Sequence, residues 1–126
     1  MKFYFFHLMP YKYVPDNFEE TYGSAWVKFP NKLYDPEIGN RLYNEYLDEM
    51  EYAEALGFDG ICVNEHHQTA YGNMPAPNIL AATLARRTKK ARIAIIGNII
   101  PLYDYPLRVA EEIAILDVVT GGRIIS

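Results

Sequence analysis

One repeating unit restricts the folds open to this chain: an apolar run, a loop, an amphipathic stretch and a glycine-containing stop. The first run is Phe3 to Leu8, the second Gly60-Ile61-Cys62-Val63, and the third Ile93-Ala94-Ile95-Ile96. A fourth opens at Arg123-Ile124-Ile125 and stops at Ser126. Short continuous apolar runs suit strands covered on both faces, as in parallel sheets. From the second run onward the spacing is about one βα unit, roughly 30 residues. Strands are expected near 3–8, 59–64, 91–97 and 123–126.

The intervening stretches carry helix signals. Asp35 is an N-cap, Pro36 sits at the first helical position and Glu37 meets the positive helix end. Leu42, Tyr43, Tyr46, Leu47, Met50, Ala53 and Leu56 follow at helical spacing, and Gly57 is the stop. A second helix starts at Pro77 and ends in Arg86, Arg87, Lys89 and Lys90, a charge run that reads as a solvated helix end. A third starts at Pro106 and closes at Gly121-Gly122. The helices are expected near 36–56, 77–88 and 106–119.

Strands alternating with helices mean a parallel α/β fold. A doubly wound nucleotide-binding sheet wants a glycine-rich turn after its first strand, and Met9-Pro10-Tyr11-Lys12 stands there instead. A (β/α)8 barrel needs about 250 residues. The 126 residues are therefore read as one incomplete TIM-barrel domain, its N-terminal portion: three βα units plus the start of strand four. A long aromatic loop at about 9–35 interrupts the first unit.

Composition narrows the function. Half the residues are hydrophobic and 22% are charged, which suits a chain with a core. The net charge of −4 argues against a nucleic-acid binder. No apolar run approaches the roughly 18 residues of a membrane span. The Lys2 to Met9 stretch resembles a signal peptide but is broken by His7 and lacks a small-residue cleavage site. The single cysteine, Cys62, suits a reducing, cytoplasmic location.

In a barrel, the active face lies at the C-terminal ends of the strands. The first connection holds Tyr11, Tyr13, Phe18, Tyr22, Trp26, Phe29 and Tyr34, and is read as a lid over that face. Leu8 and Met9 at its start, with Trp26 and Tyr71, are the candidate substrate pocket. The second strand ends in Asn64-Glu65-His66-His67. Side chains alternate along a strand. Ile61 and Val63 suit the helix side, so Cys62, Asn64 and His66 face the interior, while Glu65 and His67 point outward as structural groups. His66 is the candidate catalytic residue. Adjacent strand residues diverge and His7 is the only other histidine, so no metal site is assigned. The third strand ends in Ile96-Gly97-Asn98, where a glycine lets backbone approach a ligand and Asn98 offers donors and an acceptor to a planar heterocycle.

The sequences Val63-Asn64-Glu65-His66-His67, Gly72-Asn73-Met74-Pro75-Ala76-Pro77, Gly97-Asn98-Ile99-Ile100-Pro101, Leu116-Asp117 and Gly121-Gly122-Arg123 together resemble the bacterial luciferase-like flavin monooxygenases. The resemblance implies a (β/α)8 barrel using reduced FMN, supplied by a separate flavin reductase, and molecular oxygen on a small apolar organic molecule. It maps His66 beside the reactive flavin carbon and Asn64, Ile96, Gly97 and Asn98 around the flavin. It implies a non-proline cis peptide near Ile96-Gly97-Asn98 and a homodimer when full length. The family binds the FMN phosphate on later strands, so residues 1–126 alone are expected to be inactive. Two alternatives stay open: a deazaflavin-dependent oxidoreductase of the same superfamily, and a non-catalytic truncated or structural subunit. The long first loop departs from luciferase, so no aldehyde specificity is inferred.

Overall fold

The structure, a computed structural model, describes residues 1–126. Four strands, β1 (Tyr4–Phe6), β2 (Gly60–Asn64), β3 (Arg92–Ile96) and β4 (Ile124–Ile125), form one parallel sheet in the order β1-β2-β3-β4. The first connection contains α1 (Phe18–Tyr22), α2 (Ala25–Lys28) and a 3-10 turn (Asn31–Leu33). It leads into α3 (Pro36–Ala55); α4 (Pro77–Arg87) and α5 (Pro106–Thr120) make the next two crossovers. A doubly wound sheet reverses its strand order at a switch point. Here the order is strictly sequential, as in the wall of a barrel.

The register separates the two faces. Phe5, Ile61, Ile93 and Ile124 stand side by side, as do Phe6, Cys62, Ala94 and Ile125. The first row, with Val63 and Ile95, packs on Leu42, Tyr46, Leu47 and Met50 of α3, on Leu80, Ala81, Leu84 and Ala85 of α4, and on Leu116 of α5. Successive crossovers of one hand place all three helices on that side. The second row is covered differently from what continuous apolar runs predict: Phe6 is 49% and Ile96 55% exposed. That is the face a closed barrel turns inward.

The helices start and stop where their caps predict. The Asp35 side chain accepts from the Glu37 N–H at 2.8 Å, and Pro36, Pro77 and Pro106 each open a helix. Gly57 (φ +90°) follows α3 and Gly121 (φ +68°) follows α5 in the left-handed conformation that glycine adopts without strain. The basic end of α4 is less free than its charge run suggests: Arg87 pairs with Asp48 and with Glu51 of α3, the latter at 2.7 Å.

β1 is shorter than the expected 3–8. The chain leaves the sheet at His7, whose Nδ1 accepts the Met9 N–H at 2.8 Å while Met9 turns to φ +47°. The turn sends residues 9–11 alongside 71–74. The Tyr11 N–H donates to the Tyr71 carbonyl at 2.6 Å and the Asn73 N–H to the Met9 carbonyl at 3.0 Å. The expectation of a cis peptide near Ile96-Gly97-Asn98 is corrected: every peptide bond is trans. The chain changes direction there through Asn98, at φ +61°, a conformation asparagine tolerates better than most residues. No helix is long and apolar enough to cross a membrane.

Candidate active site at the strand C-termini

β2 delivers four polar residues, Asn64, Glu65, His66 and His67, to its C-terminal end, in three different surroundings. Asn64, the last residue of the strand, is almost completely buried beside Cys62. Its Nδ2 donates to the His7 carbonyl at 2.6 Å, while its Oδ1 has no partner. A buried acceptor left unpaired costs free energy comparable to a lost hydrogen bond. Its register partner on β3 is Ile96, half-exposed on the same face. Burial pushes the Cys62 thiol up, which disfavours the thiolate.

His66 lies two residues past the strand. Its N–H donates to the Met74 carbonyl at 3.0 Å, which ties it to the loop entering α4. Gly72 lets that loop close: a Cβ built there would lie 3.0 Å from the His66 Cβ. The His66 ring meets Trp26 edge-on at 4.9 Å, and Trp26 meets Tyr71 edge-on at 4.8 Å. The first connection therefore reaches the mouth through Trp26. It also holds itself together, with Tyr11, Phe18 and Phe29 buried and Phe29 in contact with both of the others. Of the four pocket candidates, the structure brings Trp26 and Tyr71 to His66. Leu8 is 40% exposed, and Met9 is fully buried in the main core.

Glu65 and His67 form a unit. The Glu65 side chain is fully buried and lies 2.6 Å from the His67 Nε2. It also accepts the Ile99 N–H at 2.9 Å and the Tyr103 hydroxyl at 3.3 Å. Burial alone would raise its carboxyl, but the hydrogen bond from His67 and the backbone N–H donors of the β3–α5 loop outweigh it and hold the group below the usual glutamate value. Burial and then the Glu65 carboxylate push the Tyr103 hydroxyl up.

The end of β3 presents Ile96, Gly97 and Asn98 as one turn. The Asn98 Nδ2 donates to the Asn78 Oδ1 at 3.1 Å, and Tyr103 approaches the Asn98 Oδ1 at 3.4 Å. Asn98 therefore offers the open face mainly its backbone. The sequence alone pointed to no role for Tyr103, Asn78 or Gly72; a lone polar residue in the first turn of a helix, and a lone tyrosine or glycine in a loop, give no periodic signal. The largest cavity, about 730 Å3, lies between α5 and β4 with Gly97 and Asn98 on its wall; His66 is not part of it. A second cleft of about 550 Å3 runs beside Trp26, Tyr71 and Phe18. No group of three or more His, Cys, Asp or Glu is placed to hold a metal ion.

The model of the luciferase-like monooxygenase family matches residues 27–125. The chain is 34% identical over 95 residues to the alkanal monooxygenase beta chain of Vibrio harveyi, covering 75% of this chain and 29% of that protein. It is 28% identical over 93 residues to the oxygenase component of a flavin-dependent trigonelline monooxygenase of Acinetobacter baylyi, covering 74% of this chain and 26% of that one. Among solved structures, the oxygenating constituent of 3,6-diketocamphane monooxygenase from Pseudomonas putida, in complex with FMN, superposes with a TM-score of 0.68. The identity is 19%, over 98% of this chain and 28% of that one. The chain thus spans between a quarter and a third of the length of these proteins.

Proposed function

This chain belongs to the luciferase-like monooxygenase family, and from that premise we propose that it supplies the first three βα units and the opening of strand four of an FMN-dependent monooxygenase. The substrate class is a small apolar organic molecule, one atom of molecular oxygen enters it, and a separate reductase delivers the reduced flavin. The flavin-dependent and oxygenase-component relatives, and the FMN complex among the structural neighbours, support this reading. The names of the alkanal monooxygenase relatives as alpha and beta chains support an assembly of at least two subunits.

The observation that carries the proposal is the orphaned Asn64 Oδ1, a buried acceptor at the C-terminal end of a barrel strand. A flavin fits it: the ring edge carries N–H groups and its faces are apolar. Asn64 and the backbone of Gly97 and Asn98 would hold the polar edge, and Ile96 would cover a face. When bound and reduced, FMN supplies the activation of oxygen. The protein then has three tasks. Asn64, fixed by the His7 carbonyl, orients the ring. Trp26 and Tyr71 exclude water above His66. His66 holds or moves a proton at its imidazole, a group suited to both directions of transfer.

The test uses the complete gene product with reduced FMN and oxygen. We expect oxygen consumption coupled to product. His66→Ala should stay folded, because the residue sits at the mouth, and product formation should fall roughly 10²–10⁴-fold. His67→Ala should act more on stability. Hydride transfer to or from a deazaflavin without oxygen uptake would replace this reading with the deazaflavin one.

A further inference from the structure

We propose that Glu65 is a positioning residue that sets the tautomer of His67 with one carboxylate oxygen and anchors the Gly97–Ile99 backbone with the other. The inference rests on the reading of this mouth as the flavin site, and deepens it.

An ionised carboxylate only accepts hydrogen bonds. The 2.6 Å contact between the Glu65 Oε1 and the His67 Nε2 is therefore a donation from His67. The neutral ring then carries its proton on Nε2 and leaves Nδ1 as an acceptor, on a side chain that is 33% exposed. The other oxygen, Oε2, takes the Ile99 N–H at 2.9 Å. These donors compensate a fully buried carboxylate for which no lysine or arginine partner is present.

The second role shows in the glycine. A Cβ built on Gly97 would lie 2.9 Å from the Glu65 Cβ and 3.1 Å from its Oε2. The turn after β3 therefore descends directly onto Glu65, and only a residue without a side chain permits it. The next residue, Asn98, is held at φ +61°. Asn98 reaches Asn78, whose Nδ2 donates to the Glu112 Oε2 of α5 at 2.7 Å. Glu65 is thus the joint between the end of β2 and the turn whose backbone faces the proposed flavin. Two outputs, a ring tautomer and a backbone position, depend on one carboxylate.

The test compares the wild-type complete gene product with Glu65→Gln and Glu65→Asp. Glutamine keeps the shape but turns one acceptor into a donor. We expect wild-type His67 to show the Nε2–H tautomer by 15N NMR of the histidine rings. Glutamine keeps one acceptor oxygen for two donors, so Glu65→Gln should lose one of the two outputs: either the His67 tautomer shifts to Nδ1–H, or amide exchange at Ile99 accelerates at least about tenfold, and in both cases titrated FMN should bind about tenfold more weakly, the scale of one charge-assisted hydrogen bond. Glu65→Asp, which keeps acceptor-only chemistry, should restore the Nε2–H tautomer. A wild-type Nδ1–H tautomer overturns the proposal without any variant. An unchanged tautomer and unchanged Ile99 exchange in folded Glu65→Gln overturn it as well. If the wild type binds no FMN, the flavin reading fails, while the tautomer and the Ile99 exchange still decide the role of Glu65.

Discussion

Single residues at the mouth are constrained by what touches them. Gly97 is the clearest case, since an added Cβ would also lie 3.1 Å from the Pro77 Cγ. Neither neighbour is the free end of a flexible chain: Glu65 is tied by its hydrogen bonds and Pro77 opens α4. Gly97→Ala should therefore destabilise the protein by about 1–3 kcal/mol, the usual range for overpacking. Urea denaturation of the complete gene product would measure it. A variant with wild-type midpoint and slope would mean that the turn is looser than its contacts imply. His66 has the opposite character. Its ring is held by one aromatic edge contact, and so it can change without unpacking the core.

At the scale of elements, the end of the sheet opposite the mouth is closed by charge-assisted hydrogen bonds. Glu54 on α3 receives the N–H groups of Lys89, Lys90 and Ala91, which form the turn from α4 to β3. Arg123, just before β4, donates to the carbonyls of Ala85, Thr88 and Ala91. Together they satisfy backbone groups that a helix end leaves unpaired. Burial alone would raise the Glu54 carboxyl, but the three backbone N–H donors, with Arg123 nearby, lower it below its ordinary 4.5. A depressed folded value gives stability that is present above the unfolded value and lost as pH falls through the folded one. Glu54→Gln should therefore be less stable than wild type at neutral pH, by about 1.5–3 kcal/mol. The gap should narrow as the pH is lowered below about 4.5. Thermal unfolding of both proteins across that range checks it; a gap constant with pH would assign the effect to shape and not to charge.

For the whole molecule, helices cover one side of the sheet only, and on the other side only its middle, Cys62, Asn64 and Ala94, is buried. Phe6, Ile96 and Ile125 lie on the uncovered side, and β1 and β4 each have an unpaired edge. On the helix side Ile79, Ile115 and Val118 are also exposed. Unpaired edges and contiguous apolar surface favour association. Residues 1–126 produced alone should therefore be oligomeric or aggregation-prone by light scattering. A stable, monodisperse monomer would show that the open face is tolerated in water.

The three long helices, the four strand positions and the face of each strand residue were legible in the sequence, while the short helices within residues 9–35 were not. Alternating runs and caps such as Asp35, Gly57 and Gly121 act within a few residues, so they are legible without tertiary context. The alternation of Ile61, Cys62, Val63 and Asn64 told which side of the sheet each would take, because strand side chains have a strict period of two. Where β2 ends, that period ends with it. The burial of Glu65, its joint with Gly97 and Ile99 and the approach of Trp26 to His66 were decided only in three dimensions. Each depends on segments about thirty or more residues apart in the chain, brought together by loops whose paths no local periodicity encodes.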